Sequence, residues 1–310
     1  MSFNHIPVLL DETIAGLNIK SDGIYLDCTL GGGGHSYEIL KRLDKGMLIG
    51  LDQDRDAIEY ASKRLSEFGD AFKAVHSNFE NAVDILKELE VGKVDGVLMD
   101  IGVSSYQIDQ GSRGFSYRMN APLDMRMDNR SRFSASYVIN EYTKEELEDI
   151  FWKYGEEKWG RRIAEFIVEE RKERAIETTM DLVAIIDRAV PASVRSKGGH
   201  PAKRIFQAIR IEVNKELDVL SSTIPKIVKM IKPGGRIAII TFHSLEDRIV
   251  KNIFRELNTG CICPSDFPVC VCNHKRSLKL INRKPIIASN KELRQNPRSK
   301  SAKLRIAEKV

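Results

Sequence analysis

The 310-residue sequence contains few cysteines, has no long apolar stretch, and does not begin like a secreted protein. Five cysteines in a chain of this length do not make a disulfide framework, which favours a reducing compartment. No apolar run approaches the roughly 20 residues that span a bilayer. The first residues lack a basic segment followed by an apolar core. We therefore expect a cytoplasmic globular protein without a membrane partner.

Positive charge is concentrated at the carboxyl terminus. The net charge is +5, but ten Lys or Arg residues from position 279 onwards oppose only Glu292 and Glu308, so this tail carries +8 and the rest −3. Basic segments gain affinity for nucleic acids by displacing counterions from phosphates. A solvated basic tail explains the charge equally well, so charge alone leaves a polyanionic partner open.

Strand and helix patterns alternate over the first hundred residues. Apolar runs predict four strands, at 24–28, 47–51, 72–76 and 94–100. Helical spacing predicts the helices between them, at 36–43, 56–68 and 81–89. This alternation predicts an α/β fold with a parallel sheet and helices on both faces.

The alternation stops after the fourth strand. From 105 to 215 the sequence shows helix signals, such as the capping box of Thr143 and Glu146, and no convincing strand pair. A long helix is predicted from about Ala202 past Leu220. The strand pattern resumes at 236–242, and 278–281 and 303–307 supply two last strands. We infer a discontinuous domain, 1–104 with 216–310, and a helical insertion domain, 105–215, between the fourth and fifth strands.

A run of four glycines, Gly31 to Gly34, follows the first strand directly, and His35 begins the next helix. Glycine lets the backbone turn sharply and approach a ligand closely, and a helix start offers unpaired N–H groups. Asp52 ends the second strand about twenty residues downstream, where a carboxylate can accept hydrogen bonds from ribose hydroxyls. NAD enzymes and methyltransferases share both features, so the pair does not choose between them.

Three further features favour S-adenosylmethionine over a dinucleotide. Asp27 lies in the first strand, where methyltransferases often keep an acid near the methionine end of the cofactor. Phe79 follows the third strand, where an adenine would sit, and Asp100 ends the fourth strand, at the edge where such folds bind ligands. A helical insertion replaces the nicotinamide-binding half of a dinucleotide enzyme. We therefore predict a Rossmann-like S-adenosylmethionine-dependent methyltransferase sheet.

Motifs spread over nearly the whole chain resemble those of the bacterial RsmH (formerly MraW) methyltransferase family. They lie at 5–12, 29–36, 100–105, 113–116, 122–128, 200–202, 242–248, 296–298 and 304–305. The resemblance implies N4-methylation of a cytidine in the decoding region of 16S ribosomal RNA, with the small subunit as partner and no DNA. It also implies cofactor contacts at Gly33, Gly34, His35, Asp52, Phe79, Asp100 and Gln107.

The proton acceptor for such a reaction is not evident. The exocyclic amine of cytosine is a poor nucleophile, so an acceptor is expected beside it. Many amino-directed methyltransferases carry Asp/Asn-Pro-Pro-aromatic after the fourth strand, but here Asp100 is followed by Ile-Gly-Val. Asp100 is the first candidate and Asp124 the second. Asp124 and Asp128 flank Arg126, so a structural ion-pair cluster is the alternative for these acids.

Candidate RNA contacts lie on the helix predicted from Ala202 and in the basic tail. Lys203, Arg204 and Arg210 fall in one polar sector of that helix, and Arg298 lies in the tail. Such cations can bind RNA phosphates. A solvated helix face is the alternative.

Four cysteines lie close together at Cys261, Cys263, Cys270 and Cys272. Four thiols this close could hold a structural zinc ion. However, C-x-C is not the usual C-x₂-C spacing of zinc sites, and the family resemblance implies no essential metal. We therefore expect no resident metal, with structural zinc as the alternative, and we expect Cys28 to be a buried strand residue.

Two other classes of function remain open from the sequence. One is a nicotinamide-dependent oxidoreductase that shares the glycine turn. The other is a non-catalytic RNA-binding or assembly protein that retains a cofactor pocket. The oligomeric state is also open.

Overall fold

The structure is a computed structural model that describes residues 6–103, 111–195, 200–261, 263, 267, 269, 271–272 and 274–310. It divides into two compact units, Met1–Gly102 with Leu217–Val310, and Val103–Glu216. We expect 1–104 with 216–310 to be the methyltransferase domain and the helical insertion 105–215 to be the RNA-substrate domain, and both roles stay predictions. None of the helices in the described ranges has the length and hydrophobicity of a membrane span.

The first unit is built on one seven-stranded sheet. Its strands are β1 (Ile24–Asp27), β2 (Met47–Asp52), β3 (Phe72–His76), β4 (Val94–Asp100), β5 (Ile231–Thr241), β6 (Leu278–Leu280) and β7 (Lys303–Lys309). Their order is β3-β2-β1-β4-β5-β7-β6. The first five strands are parallel, and β7 runs antiparallel to both of its neighbours. The predicted α/β, Rossmann-like fold class is confirmed.

Helices cover both faces of this sheet. Those of the first unit are Leu10–Leu17, Gly34–Leu40, Arg55–Arg64, Ala82–Glu88, Glu216–Lys229, Ser244–Asn258 and Asn290–Gln295. Successive strand residues point to opposite faces, so in β4 Val97 and Met99 join one apolar cluster with Ile224 while Leu98 joins another with Leu304. Burial on both faces explains why Val97, Leu98 and Met99 of β4 are successive apolar residues rather than alternating with polar ones.

The strand order predicts where a ligand would bind. Strands β2 and β3 lie on one side of β1, and β4 and β5 lie on the other, so the direction of winding reverses between β1 and β4. Ligands of open α/β sheets bind outside the carboxyl ends of the strands at such a reversal. The ends of β1 and β4 are Asp27 and Asp100.

In the second unit, the described residues from 135 onwards are mainly helical, and those from 114 to 134 form turns and irregular backbone. Its helices are Ala135–Glu141, Lys144–Lys153, Gly160–Glu173, Thr179–Ala189, Ala192–Arg195 and Ala202–Asn214. The predicted capping box is confirmed, because Thr143 accepts the N–H of Glu146 and the Glu146 carboxylate accepts the N–H of Thr143. The only pairing of extended backbone in the described part of this unit is an isolated bridge between Pro122 and Thr178.

The prediction of one long helix past Leu220 is wrong. The chain forms two helices, Ala202–Asn214 and Glu216–Lys229, separated by Lys215 in the left-handed region at φ 49°. The N–H of Lys215 closes the first helix on the carbonyls of Ile211 and Glu212. Glycine, the usual residue for this conformation, is absent, so the apolar spacing continues across the break. Strand β5 also differs from its prediction, because it begins at Ile231 and not at 236. Gly234 and Gly235 lie at an irregularity within this strand.

A buried ion pair joins β7 to the helix Ser244–Asn258. Arg305 donates to the Asp247 carboxylate from Nε (2.6 Å) and Nη2 (3.2 Å), and Lys303 Nζ lies 3.2 Å from the same group. Burial opposes ionisation of Asp247, but the bonds from Arg305 and Lys303 outweigh it, and the pKa of this carboxyl lies below its ordinary value. The pair thus links two family motifs, 242–248 and 304–305.

Replacing Asp247 by Ala leaves the Arg305 guanidinium buried without its main partner. We expect the free energy of unfolding, measured by urea denaturation, to fall by roughly 3 kcal/mol. The control Asp84→Ala removes a carboxylate that pairs with Lys87 at the surface and should leave the unfolding midpoint unchanged. Equal effects of the two substitutions would contradict a stabilising role for the buried pair.

Candidate functional site

Three carboxyl groups gather where β1, β2 and β4 end, at Asp27, Asp52 and Asp100. Because these strands are neighbours in the sheet, their final residues meet at one edge. Burial raises the pKa of Asp27 to about 6, that of Asp52 to about 6 and that of Asp100 to about 8. The charge of Asp27 adds to the rise at both other groups. We call these three residues the acidic edge.

Hydrogen bonds hold the Asp27 and Asp52 carboxylates in place. Asp27 accepts the Ser36 hydroxyl at 2.7 Å and the N–H of Thr29 at 3.0 Å. Asp52 accepts the N–H of Gly31 at 2.8 Å and that of Asp54 at 2.9 Å. Asp52 thereby fixes the start of the glycine turn, and the ribose contact predicted for it stays a prediction.

Asp100 is held differently from Asp27 and Asp52. Its backbone N–H donates to the Thr29 hydroxyl at 2.6 Å. Its Oδ1 is buried with no hydrogen-bond partner among the described residues, and its Oδ2 lies 3.7 Å from Nδ1 of His35. Burial is the main cause of its raised pKa, and the negative charges of Asp27 and Glu246 add to it. A buried oxygen left this way is typical of a ligand site.

The His35 side chain is buried below the turn. Its Nε2 lies 3.0 Å from the carbonyl of Val8. A carbonyl only accepts, so the hydrogen-bond network assigns a proton to Nε2. The other ring nitrogen then faces Asp100. The cofactor contact predicted for the backbone of His35 stays a prediction.

The amino-terminal segment packs directly on the glycine turn. Gly31 and Gly33 adopt positive φ values of 49° and 70°, which favour glycine. At Gly34 the reason is space, because a Cβ there would lie 2.4 Å from Cγ of Pro7. Residue-by-residue reasoning did not find Pro7 or Val8, and only the family resemblance at 5–12 pointed to them.

The carboxyl-terminal tail holds this amino-terminal segment in turn. The Asn296 side chain donates to the carbonyl of Ile6 at 3.0 Å, and the Glu292 carboxylate accepts the N–H of Leu9 at 2.8 Å. The motifs at 5–12 and 296–298, about as far apart in the sequence as the chain allows, are therefore neighbours. Together these two hydrogen bonds position the segment whose Pro7 packs against Gly34 of the turn.

The segment after β3 attaches to the end of β2. Ser77 donates its N–H to the Asp52 carbonyl, and Asn78 donates from Nδ2 to Oε1 of Gln53 at 2.8 Å. Phe79 follows and packs partly buried against the core; its predicted contact with an adenine stays a prediction. Gln107, the remaining position implied by the resemblance, lies outside the described residues.

In the second unit, Asp124 forms an ion pair. Arg126 donates to it from Nε at 2.8 Å and from Nη2 at 2.6 Å, and Arg130 binds Asp128 in a similar way. Burial opposes ionisation of Asp124, but the bonds from Arg126 outweigh it, and its pKa is lowered. This is the ion-pair alternative that the sequence left open. A proton-acceptor role for Asp124 stays a prediction, although Arg126 already balances the charge of its carboxylate.

The four candidate RNA-binding cations differ in their surroundings. Lys203 and Arg298 are exposed. Arg204 is half exposed and lies 3.4 Å from the Glu157 carboxylate. Arg210 donates two hydrogen bonds to Glu216, at 2.8 and 3.0 Å, and its side chain is only 18% exposed. Its charge is therefore already balanced, and an RNA contact by any of the four stays a prediction.

The described cysteines fall into two groups, one residue in the core and three in a cluster. Cys28 is buried in the core, as predicted. Cys261, Cys263 and Cys272 lie close together, whereas Cys270 lies outside the described residues.

The acidic edge fits a cationic ligand. Two of its carboxyl groups are neutral in part near pH 7 and the third largely so, because burial disfavours their charges. A positive charge placed beside them restores the ionised forms and is stabilised by them. The backbone of the glycine turn lies next to this edge, where it can approach a ligand closely.

Comparison with known proteins agrees with the motif pattern. The model of the MraW methylase family matches residues 2–310. The chain is 57% identical to the ribosomal RNA small subunit methyltransferase H of Clostridioides difficile (strain 630), 56% to that of Finegoldia magna and 58% to that of Clostridium botulinum (strain Loch Maree / Type A3). Each alignment covers 100% of both chains.

Placing a side chain at Gly34 should disturb the turn and its support. We expect Gly34→Ala to lower the free energy of unfolding by roughly 1–3 kcal/mol, because the rigid ring of Pro7 occupies the space that the methyl group needs. Urea denaturation measures this. Gly92→Ala is the matched control, since nothing lies within 4 Å of a Cβ there. Two indistinguishable variants would show that Pro7 does not pack on the turn.

Asp100 should make stability depend on pH. Its pKa is about 8 in the folded chain and ordinarily 3.8, so the folded state binds this proton more tightly. The stability it contributes is complete below about pH 4 and is lost as pH rises through about 8. We expect a shallower decline across that range for Asp100→Asn in urea denaturation at a series of pH values. If the free energy of unfolding fell equally with pH in the unaltered chain and in Asp100→Asn, the raised pKa of Asp100 would be contradicted.

Proposed function

We propose that this chain, which belongs to the MraW methylase family, transfers a methyl group from S-adenosylmethionine to N4 of a cytidine in the decoding region of 16S ribosomal RNA. Family membership confirms the resemblance predicted from the motifs. Relatives that carry the name ribosomal RNA small subunit methyltransferase H align over the full length of the chain. In the structure, the observation that carries the proposal is the acidic edge beside the glycine turn.

The residues of the edge fit S-adenosylmethionine by their chemistry. When bound, this cofactor supplies a methyl group activated on a positively charged sulfonium. Buried carboxyl groups at Asp27 and Asp100 stabilise a cation, and Asp52 binds the ribose hydroxyls. The remaining proposed contacts are the backbone of Gly33, Gly34 and His35, the ring of Phe79, and Gln107.

Asp100 is the proposed proton acceptor for the cytosine amine. Without a cation nearby, its carboxyl group is largely protonated at pH 7 and cannot accept a proton. A positive charge beside it lowers its pKa, so the accepting form becomes available when the cofactor is in place. Asp124 is the weaker candidate, because Arg126 already occupies its carboxylate.

The proposed substrate is the RNA of the small ribosomal subunit, bound in the cytoplasm. The target base has to be unstacked and presented by its edge before its amine can react. Exposed cations at Lys203 and Arg298, with the half-exposed Arg204, provide contacts to phosphates. Arg210 contributes less, since Glu216 balances its charge.

Labelled-methyl transfer tests this function directly. The chain is incubated with labelled S-adenosylmethionine and small subunits that lack the modification, and the nucleosides of the product are identified by mass. We expect N4-methylated cytidine from the decoding region. No transfer to an authentic unmethylated substrate would favour a non-catalytic RNA-binding protein. Binding of NAD without binding of S-adenosylmethionine would favour an oxidoreductase, and either result would contradict the proposal.

Reversing the charge of a phosphate contact should weaken RNA binding and its salt dependence. For Lys203→Glu and for Arg298→Glu we expect several-fold weaker binding to 16S ribosomal RNA, and a plot of log affinity against log salt that is shallower by about 1. Lys172→Glu is the control, because it makes the same charge reversal at an exposed lysine that is not a candidate RNA contact. An unchanged slope in the first two variants would exclude these phosphate contacts.

A further inference from the structure

Three cysteine thiols converge in the segment between the helix Ser244–Asn258 and β6. The sulfur atoms of Cys261, Cys263 and Cys272 all lie within 4.8 Å of one another. Those of Cys261 and Cys272 are 3.7 Å apart. None of the three is in a disulfide. We propose that these three cysteines bind a zinc ion as thiolates, a site that is separate from the acidic edge and independent of the proposed methyl transfer.

The sulfur spacing fits a metal better than a disulfide. Zinc–sulfur bonds of about 2.3 Å in a tetrahedron place neighbouring sulfurs about 3.8 Å apart. The distance between Cys261 and Cys272 is 3.7 Å. A disulfide needs about 2.05 Å between the same atoms. The arrangement is therefore close to that of two edge ligands of one ion.

Backbone N–H groups support the sulfurs as they do in thiolate sites. Cys263 donates its N–H to the sulfur of Cys261 at 3.4 Å, and Val271 donates its N–H to the sulfur of Cys263 at 3.4 Å. Donors of this kind orient metal ligands and stabilise their negative charge. They also account for the C-x-C spacing, because the donor to Cys261 is the backbone of the next ligand.

The described apolar side chains of this segment are exposed. Phe267, Val269 and Val271 are 50%, 70% and 66% exposed, so these apolar side chains form no core of their own. The two ends of the segment bond to each other. Ser277 donates its N–H to the Leu257 carbonyl at 2.9 Å, and Arg276 donates to the Asn258 side chain at 2.8 Å. Metal binding orders chains that cannot bury enough apolar surface.

The donor set selects the metal. Thiolates are soft ligands that favour zinc over magnesium or calcium. Structural zinc takes four ligands. The three described thiolates fill three of these positions.

Metal content tests the site in the full chain. After purification under reducing conditions with added zinc sulfate and removal of free metal, mass spectrometry of the elements should find about one zinc per chain. The double variant Cys261→Ser, Cys272→Ser should retain less than about a tenth of it. Cys28→Ala is the matched control and should keep the zinc, because Cys28 lies in the core of the sheet. A reduced chain without zinc, or a double variant that keeps it, would overturn the proposal.

Alkylation of the unaltered chain gives an answer even if the double variant fails to fold. With zinc bound, Cys261, Cys263 and Cys272 should react slowly with N-ethylmaleimide, and at least ten times faster after a chelator removes the metal. Cys28 should stay unlabelled in both states, since it is only 2% exposed. Rapid labelling before chelation, or a disulfide between Cys261 and Cys272 in freshly reduced protein, would contradict the site.

Discussion

The withdrawal of three carboxyl groups from water at the ends of β1, β2 and β4, with Asp27 buried and Asp52 and Asp100 partly buried, is the constraint on which the rest of the site depends. Removing a carboxylate from water is costly unless hydrogen bonds or a cation compensate. Asp27 and Asp52 receive such bonds from Ser36, Thr29, Gly31 and Asp54. Asp100 has no equivalent donor for its buried Oδ1 among the described residues. Asp100 is thus the one group of the edge that lacks such a bond among the described residues, and we propose that the charge of a cationic cofactor compensates its burial.

The hydrogen bonds that hold this edge explain motifs that carry no obvious chemistry. Asp52 holds the glycine turn, and the turn is tight enough at Gly34 to receive Pro7. The amino-terminal segment that contains Pro7 is anchored by Asn296 in the tail. A second link, from Asp247 to Arg305, fixes the last long strand. Several family motifs are thus contacts between distant parts of one chain, and those at 5–12 and 296–298 meet at the glycine turn.

Much of the fold could be predicted because its signals are local. Apolar runs mark the buried strands, and the acids at their ends follow from the edge rule for parallel sheets. The break at Lys215 was missed because no glycine or proline marks it, and the apolar spacing continues through it. The packing of Pro7 on Gly34 and the bond from His35 to Val8 were missed because no local pattern encodes contacts between segments.

Electrostatic pairing was equally hard to predict from the sequence. A helical projection places Arg210 on a polar face, but it does not show that Glu216, beyond the end of the helix, takes up the charge. The spacing around Asp124 left an ion pair and a catalytic acid as equal alternatives, and only the geometry shows Arg126 on both oxygens. The cysteine spacing argued against a metal, whereas the sulfur positions argue for one.

We propose that Asp100 holds a proton until a cation arrives. Carbon-13 NMR of chains labelled at the aspartate carboxyl carbons, with Asp100→Asn to assign the signal, measures this proton directly. In the free chain the Asp100 signal should titrate at about pH 8, and S-adenosylmethionine should move the midpoint well below that value, while the uncharged-sulfur product S-adenosylhomocysteine should move it less. A midpoint near the ordinary 3.8 in the free chain, or one that S-adenosylmethionine leaves in place, would contradict the account.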